Sequence, residues 1–330
     1  MKAAFLLAPK KIEIRQVDAP QPGANQVSIQ PIRAGVCGSD VSLFMGHRTP
    51  AEYPLLLGHE MVGRIAAVGE SVTQFAVGQR VTVEPNYICG VCAFCRSGRG
   101  NICPNKKSLG VNIPGCFADS FVAPAEFVWA IPDAVSDEDA VTIEPLAVSL
   151  RALWHANVQM GDTIAVVGCG ATGLLLIQAA AAEGIRVIAH DKFDDKLRMA
   201  RQFCAIIPPA GDVAGTWQSE NVSTVFECAG VTSTVELALS AVPRGGRVVL
   251  VGLANSSAGF VPLRLVREGI QVTGSIIYDH PHDFARAIDL VARGVLHPAR
   301  IVTDTLPFDE ITRALELASD GRSGKVLLQM

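Results

Sequence analysis

Residues able to do chemistry concentrate at three places in the chain. Cys89-x-x-Cys92-x-x-Cys95 is followed by Cys103, four thiols in a lobe of fifteen residues. Four thiolates around one Zn2+ form a closed tetrahedral structural site, and the lobe is too small to hold a hydrophobic core. Gly90, Gly98 and Gly100 let it wrap. Iron–sulfur runs open with the same Cys-x-x-Cys-x-x-Cys spacing, so spacing alone leaves iron open, while a reducing compartment disfavours disulfides. The second place pairs Cys37 with His59 and Glu60 across a long loop. A soft sulfur, an imidazole and a carboxylate suit zinc, and three protein ligands with one open position make a catalytic site. The third is Gly168-Cys169-Gly170-Ala171-Thr172-Gly173, whose spacing suits a pyrophosphate approached by backbone N–H groups.

The elements around this turn carry its meaning. Residues 163–167 are a short β-branched apolar run, residues 174–182 follow a helical pattern that Gly184 can end, and residues 185–189 read as a second buried strand. Strand, glycine turn, helix, strand and acid make the dinucleotide-binding fingerprint. Gly168 serves the tight turn, Gly170 the approach of the pyrophosphate, and Gly173 close packing of helix on strand. Asp191, eighteen residues after Gly173, can accept hydrogen bonds from an adenosine ribose 2′-OH and would repel a 2′-phosphate, which favours NAD over NADP. The apolar stretch from Asp162 to Glu183 could also be read as a membrane span, but three glycines, Gln178 and an immediate second strand oppose that reading.

At 330 residues the chain is long enough for two domains with separate cores. Hydrophobic residues at 49% and charged residues at 18% disfavour disorder, and a net charge of -4 offers no basic surface to nucleic acid or anionic membranes. The first apolar run is too short for a signal-peptide core, giving the expectation of a soluble cytoplasmic protein with no membrane and no nucleic-acid partner. Nine cysteines in such a chain point to metal binding.

Residues 1–36 and 61–69 alternate and turn like antiparallel strands. Ser136-Asp137-Glu138-Asp139 is a capped helix start and Pro145 suits the first turn of the next helix, placing Glu144 at a helix–helix junction. Residues 192–204 read as a helix with Lys196 on its first turn. Residues 224–228, 245–252 and 270–274 read as further parallel strands. Between Cys204 and Val225, Pro208, Pro209, Gly211 and Gly215 predict that a crossover is trimmed to a loop. The tail returns to helices at 284–292 and 308–318 and a strand at 326–329.

Taken together, Cys37-Gly38-Ser39-Asp40, Gly58-His59-Glu60, the four-cysteine lobe, Gly115-Cys116-Phe117-Ala118, Glu144-Pro145-Leu146 and residues 168–173 resemble the zinc-containing medium-chain dehydrogenase/reductase superfamily over nearly the whole chain. Glu144, where alcohol dehydrogenases of the family commonly have a ligating Cys, looks like the polyol (sorbitol-type) branch. The resemblance implies an α/β protein with a GroES-like β-rich catalytic domain at 1–145 and 275–330, its zinc lobe at 85–110, and a Rossmann NAD-binding domain at 146–274. It implies two zincs per chain. The catalytic one is bound by Cys37, His59 and Glu60 with water, which Glu144 holds or exchanges with, and the structural one by Cys89, Cys92, Cys95 and Cys103. Gly168, Gly170, Thr172, Gly173, Asp191 and Lys196 are the implied cofactor contacts. The implied reaction is reversible NAD-linked oxidation of a secondary alcohol to a ketone, with Ser39 as first proton acceptor and Ser42 where a relay His is frequent. Ile277 stands where polyol dehydrogenases often carry Arg. The expected substrates are a sugar alcohol, sugar acid or vicinal diol, with threonine-type amino alcohols as runner-up and a non-enzymatic NAD-binding redox or zinc sensor as the rival class. A homo-oligomer, dimer or tetramer, is also implied.

Overall fold

The computed structural model describes residues 1–50, 52–208 and 211–330. The described chain divides into two compact units, Met1–Glu144 with Asp279–Met330, and Pro145–Tyr278. Each is considered on its own.

In the first unit, Gln26–Val36 is the strand around which the sheet is built. Glu60–Val68 pairs along one of its edges. On the other edge, Phe121–Pro124 pairs with its first half and Lys325–Gln329 with its second. The described sheet runs Val128–Ala130, Arg80–Val83, Glu60–Val68, Gln26–Val36, Lys325–Gln329, Val302–Pro307. A second sheet joins Lys11–Gln16, Lys2–Ala8 and Leu55–Leu56. Period-two patterning turns Val27, Ile29, Met61, Ile65, Val81 and Val83 inward, where they pack with Leu43, Phe44, Leu57 and Phe117. Each such buried side chain contributes about 1.5–3 kcal/mol relative to exposure. The final strands, Val302–Pro307 and Lys325–Gln329, lie parallel with the helix Ile311–Ser319 between them, so the end of the sequence supplies part of this sheet.

In the second unit, a parallel sheet runs in the order Arg186–His190, Thr163–Val167, Val222–Glu227, Arg247–Leu250, Gln271–Gly274, its inner strands apolar and buried and its last strand largely exposed. Strand order reverses beside Thr163–Val167, and a sheet of this kind takes its ligand beyond the carboxyl ends of the strands at such a point. The glycine turn leaves from that end and enters the helix Ala171–Ala182. That helix has 12 residues, and among the described residues no helix is long and apolar enough to cross a membrane.

One expectation is corrected. The crossover between Cys204 and Val225 is not only loop, because Val213–Ser219 forms a helix. Asp212 caps it, accepting the Gly215 amide at 2.8 Å, and the fully buried Trp217 anchors it to the sheet. Pro209 lies outside the described residues. The helix expected over 192–204 is shorter, Asp194–Arg201, with Lys196 in its first turn.

Candidate active site and cofactor turn

The lobe is closed at its base by Asn86–Tyr87 pairing with Lys107–Ser108. Its four sulfurs lie 3.4 Å (Cys92–Cys95), 3.6 Å (Cys89–Cys103), 3.9 Å (Cys92–Cys103) and 4.0 Å (Cys89–Cys95) apart. With Zn–S bonds of about 2.3 Å, a tetrahedron has sulfur–sulfur edges of about 3.8 Å. The thiols are therefore spaced for one metal ion and stand well beyond bonding distance of each other, and all nine cysteines are free. The Val91 and Cys92 amides pull the Cys89 thiol down to about 6, while burial and the neighbouring thiols raise Cys95.

Cys37 precedes the helix Gly38–Phe44, and His59 and Glu60 stand where a loop enters the strand Glu60–Val68. One ligand atom from each of Cys37, His59 and Glu60 falls within 4.8 Å of the other two. Asp40 organises this group from beneath. It is fully buried, accepts the Cys37 amide at 3.0 Å and the Gly58 amide at 3.1 Å, and lies 3.6 Å from His59 Nδ1. Burial opposes charge on His59, but Asp40 and Cys37 outweigh it and hold the imidazole well above its usual value. Ser39 Oγ stands 3.4 Å from His59 Nε2. Glu60 is fully buried, and its Oε1 has no hydrogen-bond partner among the described residues. An orphaned carboxylate oxygen beside a thiol and an imidazole is a donor set that fits a zinc ion.

The family resemblance pointed to Glu144 as well. It is buried in the first turn of Ile143–His155 but is not one of the three clustered ligands. It shares instead the surroundings of Lys325, a residue with no signal in the sequence. Lys325 is buried and ion-paired with Glu60 Oε2. Burial opposes its charge too, yet Glu60, Cys37 and Glu144 overcome this and raise its ammonium above the ordinary lysine value. Glu60 and Lys325 come from strands on opposite edges of Gln26–Val36 and meet over Gly35. A Cβ on Gly35 would collide with the Glu60 carboxylate and sit 3.0 Å from Lys325 Cε.

In the second unit, Gly168 has φ +94°, and a Cβ there would come within 2.6 Å of the Ala229 amide nitrogen. Gly170 faces open space, leaving backbone exposed at the start of the helix, and a Cβ on Gly173 would strike the Gly168 carbonyl. This bare cradle fits a dinucleotide pyrophosphate. Thr172 lies in the first turn, its carbonyl accepting the Ser149 hydroxyl at 2.9 Å. Asp191 accepts the Cys169 amide at 2.7 Å and the Phe193 amide at 2.9 Å, so it braces the glycine turn as well as marking the strand end. Lys196 is buried close to Cys169. The sequence did not single out Glu227. Its carboxylate accepts from the Ala229 and Gly230 amides and the Thr234 hydroxyl, and its carbonyl takes the Val251 and Gly252 amides, tying two loops together.

Known proteins are similar to this chain over most of its length. The alcohol dehydrogenase GroES-like domain family matches residues 23–133, and the zinc-binding dehydrogenase family matches residues 171–293. Sorbitol dehydrogenase of Bacillus subtilis (strain 168) is 33% identical over 96% of this chain and 93% of its own length. The chain belongs to the zinc-containing medium-chain dehydrogenase/reductase superfamily, in its polyol dehydrogenase branch. It is thus a zinc-dependent alcohol dehydrogenase by family, with a GroES-like and a Rossmann part. Among solved structures, the rspB alcohol dehydrogenase of E. coli CFT073, complexed with NADH, aligns with a TM-score of 0.93 at 29% identity over 100% of this chain and 99% of that one. A zinc-binding dehydrogenase of Sinorhizobium meliloti 1021, bound to NADP, aligns with a TM-score of 0.92 at 31% identity over 100% and 99%.

Proposed function

We propose that the chain reversibly oxidises a secondary alcohol of a polyol, sugar acid or vicinal diol to the ketone, with one catalytic and one structural zinc and NAD as acceptor. The observation that carries this reading is the group Cys37, His59 and Glu60, with ligand atoms within 4.8 Å and a buried carboxylate oxygen left without a hydrogen-bond partner among the described residues. When bound, zinc supplies Lewis acidity and NAD accepts a hydride. Cys37, His59 and Glu60 would hold the metal, with the Asp40 carboxylate 3.6 Å from His59 Nδ1 orienting the ring by charge. Ser39, beside His59, takes the proton of the substrate hydroxyl and passes it on. With Ser42 in place of a relay His, that proton leaves through water or another group. Glu144 acts with Lys325 at the border of the metal group rather than as a fourth clustered ligand. Cys89, Cys92, Cys95 and Cys103 hold the structural zinc. Gly168, Gly170, Thr172 and Gly173 receive the pyrophosphate, while Asp191 and Lys196 stand at the adenosine end.

Free thiols throughout suit a reducing cytoplasm. Gln271–Gly274 is the edge of its sheet among the described strands, and Val266 and Val272 nearby are 81% and 42% exposed, which supports assembly with further copies of the chain. Intact metal-binding groups weigh against a non-enzymatic sensor, and nothing at the site favours an amino alcohol. The test is reduced-cofactor absorbance with purified protein against polyols, aldonates, butanediol and threonine, with zinc counted per chain. Two zincs and turnover of a polyol or diol are expected. One zinc or none, with no turnover of any alcohol, refutes the proposal.

A further inference from the structure

Lys325 is buried against the catalytic group, ion-paired with Glu60 and attracted also by Cys37 and Glu144. Asp40 is held apart from Lys325's ion pair, accepting two backbone amides and lying 3.6 Å from the His59 ring. Lys325 is therefore a cation set among side chains that would bind a metal. The arrangement is also directional. Neither Glu60 oxygen has a hydrogen-bond partner among the described residues, but Lys325 is ion-paired with Oε2, leaving Oε1 as the oxygen to offer. Lys325 reaches Glu60 because Gly35, on the strand between them, has no side chain.

Resting on the zinc reading above, we infer that Lys325 is a positioning residue that occupies one oxygen of Glu60, so that Glu60 can offer the metal only the other. A carboxylate held by one oxygen keeps the fourth coordination position open for substrate. Lys325 also competes with the metal for Glu60 and repels it, which makes the metal easier to release than the ligand set alone would dictate. This sign separates positioning from packing, since a residue that merely packs should weaken metal retention when it is replaced.

The experiment uses full-length zinc-loaded protein, Lys325→Met and Lys325→Arg, with Cys37→Ser identifying which zinc is released first into excess chelator. Lys325→Met keeps the length of the side chain and removes its charge. Its catalytic zinc should leave at least about tenfold more slowly than in the wild type. In the cobalt-substituted protein, its visible absorption should weaken as the second Glu60 oxygen joins the metal. Lys325→Arg should stay near the wild type in both. Should Lys325→Met fold poorly, the comparison is Glu60→Gln against Glu60→Gln with Lys325→Met. There no carboxylate remains to be freed, and the cobalt spectrum should not change between the two. Release as fast as the wild type or faster from Lys325→Met, or an unchanged cobalt spectrum, overturns the inference. So does a spectral change of the same size in the Glu60→Gln background. A wild-type chain that never loads metal at Cys37 instead overturns the zinc reading itself, and this inference with it.

Discussion

At the scale of single residues, two carboxylates make separate predictions. Asp191 ends its strand at the glycine turn and spends hydrogen bonds on the Cys169 and Phe193 amides. A carboxylate fixed there meets a ribose 2′-OH with spare lone pairs and a 2′-phosphate with like charge. NAD should be preferred over NADP by at least about tenfold in kcat/KM, about 1.4 kcal/mol, and steady-state kinetics with both cofactors check it. Equal use of NADP would remove Asp191 from that role. Glu84 is fully buried and accepts from Trp129 Nε1 at 3.1 Å and contacts His280 Nδ1 at 2.9 Å. The hydrogen bond with Glu84 raises the His280 pKa against the opposing effect of burial, and Glu84 and Glu126 add charge attraction. A histidine whose folded value lies above its unfolded value of about 6.5 stabilises the fold in full below that pH. The stabilisation fades as pH rises through the folded value. His280→Gln should therefore cost about 1 kcal/mol in mild acid and much less in mild alkali, read as the melting-temperature gap from the wild type at the two pH values. A gap that widens with pH would contradict the assignment.

Elements decide what each metal does. The lobe has no core of its own, so metal binding there is folding energy. Cys95→Ser should lower the melting temperature, expose residues 85–110 to protease, and lose activity only as structure is lost. Cys37→Ser should leave the melting temperature nearly unmoved and reduce turnover at least about a hundredfold, because the site it empties is open and supports little of the fold. Calorimetry and kinetics on the two variants, with zinc counted, separate these outcomes, and a reversal would show the metals exchanged. The sequence was legible here for a physical reason. Glycine turns, thiol spacing and β-branched runs are local signals that marked the dinucleotide fold and the lobe, while Cys37, His59 and Glu60 stood out by ligand type and the GroES-like part came from the family resemblance. Asp40 was readable in principle from its place three residues after Cys37, the spacing of a capping box. Lys325 was not, because its meaning arises only when two distant strands flank Gly35. The helix Val213–Ser219 was missed because Pro and Gly nearby outweighed the capping Asp212 and the buried Trp217.

For the whole molecule, the edge strand Gln271–Gly274 leads to a test of assembly. Val272→Lys adds a charge to an exposed apolar edge and should shift the chain toward monomers in light scattering, while the interior of the parallel sheet is left intact. Unchanged mass would place the assembly surface elsewhere. The first unit is made from two distant lengths of sequence, Met1–Glu144 and Asp279–Met330, whereas the second is one continuous stretch. During synthesis the two therefore mature in a different order from the one in which they are written. Pro145–Tyr278 can close as soon as its own residues have emerged from the ribosome. The first unit, though begun earlier, must wait for Lys325–Gln329 to pair with Gln26–Val36. Until then Glu60 lacks its lysine, and the nascent chain carries metal-seeking side chains on an unfinished sheet. A newly made molecule thus gains a nucleotide fold before it gains a finished catalytic centre.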